Sequence, residues 1–155
     1  MPLFPPLVVT AELETDALPE TVWAAFETVS RWPEVLPDIA EARIVPDGPL
    51  ESGAVIETRA VPGRSMIDMS YHVATAEPPH RLVLLSRANG FIALTDYVVA
   101  RTDFTQVTAT ATVEAERFMV GLSARMMRGR YTEHLTRSVE RRLRALLTLA
   151  EKMNA

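Results

Sequence analysis

Residues 118–155 read FMVGLSARMMRGRYTEHLTRSVERRLRALLTLAEKMNA, and their apolar positions recur at intervals of three and four. This spacing is typical of one face of a helix. The recurring positions are Val120, Ala124, Met127, Tyr131, Leu135, Val139, Leu143, Leu146 and Ala150. Because no proline interrupts the segment, it predicts one helix of about thirty residues, near 45 Å long at ~1.5 Å per residue. A stripe of this length must pack on another part of the chain.

The start of the chain predicts one strand followed by two helices. Apolar residues alternate with more polar ones over about 7–14, which is typical of a half-buried strand. The inward set is Leu7, Val9, Ala11 and Leu13. Pro19 suits the first turn of a helix, because the N–H that it lacks has no helical partner there, and we expect that helix over about 19–30. Pro33 and Pro37 then bracket a second, very short helix.

The middle of the chain predicts six more strands joined by short turns. Their expected ranges are 39–45, 54–61, 66–76, 81–88, 91–101 and 106–117. Asn89-Gly90 separates the fourth from the fifth and is a strong signal for a two-residue hairpin. Strands joined by such short turns must be antiparallel neighbours.

With this element order, the chain resembles the START-like (SRPBCC) superfamily, in particular its polyketide cyclase/dehydrase and lipid-transport branch. The matching segments are LPETVW at 18–23, RWPEVLP at 31–37, Gly53-Ala54, and TQVT at 105–108. The resemblance extends over about residues 7–150. It implies one START-like ligand-binding domain over 1–155 with the α+β helix-grip fold. In that fold a seven-stranded antiparallel curved sheet surrounds a long C-terminal helix, and two short helices follow the first strand.

Composition limits the classes of function. Apolar residues make up 48% of the 155 positions, as in ordinary globular proteins. No apolar run approaches the ~18 residues of a membrane span, and the N-terminus lacks the pattern of a signal peptide. We therefore expect a cytoplasmic protein without stable membrane insertion. The absence of cysteine excludes disulfides, thiol nucleophiles and cysteine-ligated metals.

Charge is distributed unevenly along the chain. Residues 1–118 hold 8 arginines and 17 acidic residues, a net charge of −9, whereas 119–155 hold 7 arginines, one lysine and 3 glutamates, a net charge of +5. Most of these arginines fall off the apolar stripe: Arg125, Arg128, Arg137, Arg141 and Arg144. We expect them to form a solvated face, and we expect no nucleic-acid partner because the remainder of the chain is acidic.

The resemblance also implies an apolar cavity between the sheet and the first half of the long helix. The inner face of the last strand carries three alanines in five positions: Val107, Ala109, Ala111, Val113 and Ala115. Such small side chains either leave room for a ligand or let the helix approach closely, and both alternatives remain open here. Met126, Met127 and Tyr131 are expected to lie opposite the alanines. The predicted lining is Trp32, Leu36, Met69, Tyr71, Tyr97, Ala109, Ala111, Met127 and Tyr131.

Residues that could carry chemistry are scattered. His72 shares a polar strand face, His80 is in a turn, and His134 is one step off the helix stripe. Arg101 and Asp96 lie on opposite faces of one strand, so at most one enters the cavity. Metal-ligand spacings, a glycine-rich phosphate loop and a nucleophile elbow are all missing from the sequence. We therefore predict no catalytic residue, no metal and no cofactor.

Three functions fit these observations. The first is a carrier or sensor of a hydrophobic small molecule (a lipid, polyketide or isoprenoid-like compound), as a monomer or homodimer. The second is an aromatase/cyclase-like enzyme acting on a polyketide, which needs a titratable group within reach of the substrate. The third is a coenzyme Q-binding type of protein, for which residues 1–7 are the candidate exposed apolar strip. The fold by itself does not choose among them.

Overall fold

The computed structural model describes residues 5–63 and 67–154, which form a seven-stranded antiparallel sheet with helices on its concave face. The strands are β1 (Leu7–Thr15), β2 (Ile39–Val45), β3 (Val55–Ala60), β4 (Met69–Glu77), β5 (Arg81–Ala88), β6 (Phe91–Arg101) and β7 (Thr105–Ala115). The α-helices are α1 (Pro19–Glu27), α2 (Phe118–Met126) and α3 (Arg128–Asn154). A 3-10 helix, Val29–Glu34, follows α1 closely.

The sheet order is β1-β7-β6-β5-β4-β3-β2, so the first two strands of the chain lie at opposite edges. The two short helices carry the chain across the concave face from one edge to the other. The 3-10 helix packs against β2, and α3 packs against both β1 and α1. Helices therefore pack on both edge strands of the sheet. The predicted helix-grip fold is confirmed, and so is the antiparallel pairing of consecutive strands from β2 to β7.

The prediction of one uninterrupted C-terminal helix is wrong. The helix breaks at Met127, whose backbone has φ −111° and ψ 29°, and a new helix begins at Arg128. Met126 and Met127 are 78% and 41% exposed, so they do not pack opposite the alanines of β7 as expected. The apolar spacing runs through the break at Met127, so the spacing alone did not reveal it.

Burial of the apolar stripe is concentrated in the second half of α3. The stripe residues Val139, Leu143, Leu146 and Ala150 are buried there, together with Leu147 and Leu149. Tyr131 and Leu135, nearer the break, are only half-buried. The predicted solvated face is confirmed, since Arg125, Arg128, Arg137, Arg141 and Arg144 are all exposed. Among the helices of the described residues, none is both long and apolar enough to cross a membrane.

The gradient of burial along α3 can be tested by truncating two leucines. Leu143 is 0% exposed, so Leu143→Ala should lower the free energy of unfolding by about 2–5 kcal/mol, the range for large-to-small core changes. Leu135→Ala is the matched control and should cost clearly less, because part of that side chain already contacts water. Urea unfolding measures both values. Equal losses would mean that the two halves of α3 are buried alike.

The hairpin turn between β5 and β6 supports α2. Asn89 and Gly90 both have positive φ, 53° and 80°, which confirms the predicted Asn-Gly hairpin. A Cβ added to Gly90 would lie 2.9 Å from Cγ2 of Val120 in α2. The Gly90 carbonyl also accepts a hydrogen bond of 2.7 Å from the N–H of Glu116. The turn therefore needs glycine both for its backbone and for the approach of the helix.

Gly90→Ala should destabilise the protein by more than the ~1–2 kcal/mol expected of a left-handed backbone alone. Gly63→Ala provides the backbone reference, because Gly63 has φ 82° and nothing lies within 4 Å of an added Cβ. The difference between the two variants in thermal or urea unfolding reports the clash with Val120. Equal destabilisation would show that α2 moves away without cost.

Candidate functional site

Two tyrosines lie on the concave face of the sheet because of the strand register. Tyr97 of β6 pairs with Leu82 of β5, and Tyr71 of β4 pairs with Ile56 of β3. Both are buried, with 2% exposure for Tyr97 and 6% for Tyr71. Buried tyrosine hydroxyls need a hydrogen-bond partner. In this protein a charged side chain of α3 lies near both hydroxyls.

A small cavity lies between these tyrosines, the two short helices and α3. Its lining consists of Phe26, Trp32, Leu36, Tyr71, Leu82, Leu84, Tyr97, Arg142 and Leu146. Phe26 of α1 packs on Tyr97 with ring centroids 5.2 Å apart. The Trp32 indole N–H donates to the Ala25 carbonyl at 3.0 Å, which fixes the ring against the cavity. The free space is about 10 Å³, room for about one water molecule.

Arg142 is the only charged residue of this lining. Its Cζ lies 5.2 Å from the centroid of the Tyr71 ring, within the range of a cation–π contact. The Tyr71 and Tyr97 hydroxyls also lie close enough to act electrostatically on this guanidinium. Within the described part of the chain it forms no ion pair, in contrast to Arg31 and Arg81, which pair with carboxylates. The cavity therefore contains a cation and two phenols amid apolar side chains.

The protonation states follow from this arrangement. Burial acts to lower the pKa of Arg142, but the Tyr71 and Tyr97 hydroxyls act to raise it, and the net pKa is raised. Arg142 is thus a cation at neutral pH. Burial raises the pKa of Tyr97, and the Arg142 charge offsets this only in part. Tyr97 therefore keeps its proton and can donate it in a hydrogen bond.

A second cleft adjoins the cavity at the protein surface, between the segment after the 3-10 helix and α3. It measures about 50 Å³ and is lined by Val35, Leu36, Pro37, Asp38, Ile39, Ser138, Arg141 and Arg142. Leu36 and Arg142 line both spaces. These two side chains, which we call the partition, separate the cavity from the cleft.

The structure brings together four of the nine predicted lining residues. Trp32, Leu36, Tyr71 and Tyr97 meet around the cavity. The others are elsewhere: Met69, Ala109, Ala111, Met127 and Tyr131. The cavity lies against Arg142 and Leu146, in the second half of α3, whereas the sequence placed it at the first half. The break at Met127 leaves the first turns of α3 exposed, which removes the lining expected there.

The displaced residues have other surroundings. Tyr131 packs against Phe91 with ring centroids 5.8 Å apart. Ala109 and Ala111 are buried and pair with β1, the strand on which α3 packs. That position fits the alternative in which small side chains allow the helix to approach closely. A role for any of the nine residues in binding stays a prediction.

Arg142 was missed by the sequence interpretation, although its position contained a signal. It follows Val139 by three residues and precedes Leu146 by four, so it lies on the apolar stripe and not on the solvated face. A permanently charged side chain on a face that must be buried is uncommon. That anomaly marks a candidate site, while the neighbouring arginines are ordinary surface charges.

The remaining titratable candidates lie outside the cavity. His72, His80 and His134 are exposed. Asp96 binds Arg81 at 2.9 Å, and Arg101 donates to the Thr105 hydroxyl at 2.9 Å. Within the described residues, no group of three or more acidic, histidine or cysteine side chains could hold a metal ion.

Comparisons with known proteins bear on the fold and the family. Residues 6–143 match a family model described as polyketide cyclase / dehydrase and lipid transport. A search of curated proteins found no match. Among solved structures, the di-domain ARO/CYC protein BexL of the BE-7585A biosynthetic pathway is similar with TM-score 0.70 and 16% identity, over 95% of this chain and 49% of that one. This chain thus spans about half the length of BexL.

Two further structures are similar over most of their own length. Ara h 8.0201 has TM-score 0.71 and 12% identity, over 94% of this chain and 97% of that one. Norcoclaurine synthase from Thalictrum flavum has TM-score 0.67 and 16% identity, over 94% of this chain and 84% of that one. At such identities the likeness concerns the fold.

The raised pKa of Tyr97 predicts a loss of stability in alkali. Above about pH 10, the ordinary tyrosine value, Tyr97 ionises in the unfolded chain but stays protonated in the folded one. The free energy of unfolding should therefore fall as pH rises from that value toward the folded pKa. Tyr97→Phe should make this fall less steep when urea unfolding is compared at neutral and alkaline pH. Identical slopes would contradict the assignment.

Proposed function

The chain belongs to the polyketide cyclase / dehydrase and lipid transport family of the START-like superfamily, and from this premise we propose that it binds a hydrophobic small molecule between the sheet and α3. The main support is the incompletely filled cavity, in which apolar side chains surround a few polar donors. Phe26, Leu82 and Leu146 illustrate the apolar part, and Arg142 provides the charge. This combination is typical of sites that bury a small ligand and orient it through one polar end. Lipids, polyketides and isoprenoid-like compounds have suitable chemistry.

A ligand must enlarge the space, because the cavity holds about one water molecule without it. The surface cleft offers the route. Its floor is the partition, and Leu36 is a half-buried side chain in the short connection between the 3-10 helix and β2. Displacement of Leu36 joins the two spaces without disturbing the sheet. We propose that the ligand enters there.

Burial of apolar surface provides the binding energy in this proposal. A ligand that covers about 300 Å² gains about 7 kcal/mol at ~25 cal/mol per Å². Association and the displacement of Leu36 offset a large part of this gain. Binding of moderate strength follows for small apolar probes, and additional affinity must come from the polar end.

A second candidate is an aromatase/cyclase-like activity, which Arg142 and Tyr97 favour. A cation and a neutral phenol could stabilise an enolate oxygen and donate a proton to it. The nine residues of the lining include no histidine, aspartate or glutamate to act as a general base. For this reason binding is our first proposal. Cyclisation of a poly-β-keto thioester by the purified protein, lost in Arg142→Gln, would reverse the ranking.

The third hypothesis, a coenzyme Q-binding type of protein, depends on an apolar strip at residues 1–7. Residues 1–4 lie outside the described residues, so the structure adds nothing in its favour. A membrane or assembly partner is not part of our proposal.

The entry route predicts how two neighbouring truncations affect the binding of an environment-sensitive apolar dye. The wild-type protein should bind the dye and gain thermal stability by mass action. Leu36→Ala should speed dye association in stopped-flow fluorescence, because the partition is shortened. Val35 lines only the outer cleft, so Val35→Ala is the matched control, and its rate of dye association should equal that of the wild type.

Circular dichroism must show that both variants keep the fold. Absence of dye binding in both the wild type and Leu36→Ala would contradict the binding proposal. Equal acceleration by the two variants would contradict the proposed entry route.

A further inference from the structure

Arg142 occupies a position where an apolar residue would pack without cost. Its half-buried side chain lies on the buried stripe of α3, between Val139 and Leu146, and lines a cavity whose other residues are aromatic and aliphatic, Phe26 and Leu82 among them. Moving a charge away from water is unfavourable unless another charge or several hydrogen bonds compensate it. Within the described residues Arg142 has two phenols and no ion-paired carboxylate. The cation is therefore only partly compensated.

The polar groups of the cavity are predominantly donors. A guanidinium has five N–H donors and no acceptor. The Tyr71 and Tyr97 hydroxyls interact with this guanidinium, and each hydroxyl that accepts from it still has its own hydrogen to donate. Asp38 lines the outer cleft and has a partner of its own, whereas the nine lining residues of the inner cavity include no carboxylate. The cluster of Tyr71, Tyr97 and Arg142 thus lacks an acceptor with negative charge.

We infer that the ligand of this cavity is an apolar molecule that ends in a carboxylate, and that Arg142, with Tyr71 and Tyr97, binds the carboxylate oxygens. This inference rests on the proposed function, since it specifies the polar end of the same ligand. A carboxylate presents two oxygens to the fork of the guanidinium, a geometry that gives short, charge-assisted hydrogen bonds. One negative charge also neutralises the one positive charge of the cavity.

The position of Arg142 suits recognition during entry. It lines both the outer cleft and the inner cavity, so the same side chain can contact the carboxylate on both sides of the partition. A phosphate dianion fits less well, because one of its charges would remain uncompensated among apolar side chains. A neutral alcohol or amide would not neutralise the charge of Arg142. The inference thus predicts that, of two ligands with the same apolar part, the one with a carboxylate binds more tightly.

Octanoate and octanamide provide the test, because they match in length and shape and differ in charge. Each is titrated into the full chain by isothermal calorimetry at neutral pH. The wild type should bind octanoate at least about tenfold more tightly, the effect of a charged hydrogen bond. Arg142→Met should abolish this preference while octanamide still binds. Arg144→Met, an exposed arginine of the same helix, is the matched control and should keep the preference.

The outcomes separate the two proposals. Binding of neither compound contradicts the proposed function itself. Equal binding of both by the wild type leaves the proposed function standing and overturns the carboxylate inference. A loss of preference in Arg144→Met as large as in Arg142→Met would also overturn it, because the attraction would then come from the general charge of the helix.

A stability measurement shows whether Arg142 has a structural role instead. Removal of this half-buried cation relieves its desolvation but also takes a polar partner from the two tyrosine hydroxyls, so the melting temperature of the ligand-free protein should change little in Arg142→Met. Arg142→Gln is the second variant, since it keeps a polar end but no charge, and it should lose the preference as well. Retention of the octanoate preference in whichever of these variants folds would overturn the inference.

Discussion

Burial of the second half of α3 against β1 and α1 is the contact on which the remaining structure depends. Leu143, Leu146 and Leu149 are almost completely buried. Burial of each leucine side chain stabilises the folded state by roughly 1.5–3 kcal/mol. The same contact brings α3 close to the two short helices, which cross the concave face to reach the opposite edge. Without it, the sheet would expose its inner face and its first edge strand.

This packing also creates the polar anomaly of the site. Because Leu146 and Val139 must face inward, helical geometry turns Arg142 toward the same side. Its guanidinium then meets Tyr71 and Tyr97, which the strand register holds on the concave face. The fold therefore retains a charge in a region that hydrophobic burial would otherwise fill with leucine or methionine.

The fold and the side chains of the site give different information about function. Proteins with very different sequences adopt this architecture, and their activities cannot be transferred to this chain on the fold alone. The particular side chains around the cavity distinguish this protein: a lone cation, two phenols and a partition that includes Leu36.

The sequence by itself determined the elements whose signals are local. Turn residues such as Asn89-Gly90 mark the ends of strands, and Pro19 marks the start of α1, because these residues restrict the backbone where they stand. Together with a family resemblance, that sufficed for the order of strands and helices and for four residues of the cavity.

Only the tertiary structure decided where α3 begins, which half of it is buried and what surrounds Arg142. Periodicity reports which residues share a helix face, but not which other element covers that face or where packing interrupts the helix. The helix breaks at Met127, and the cavity lies beside Leu146 in the second half of α3. The register of β4 and β6 places Tyr71 and Tyr97 near Arg142, one of several arginines of this helix. These are contacts between residues far apart in the chain, and spacing within one segment cannot reveal them.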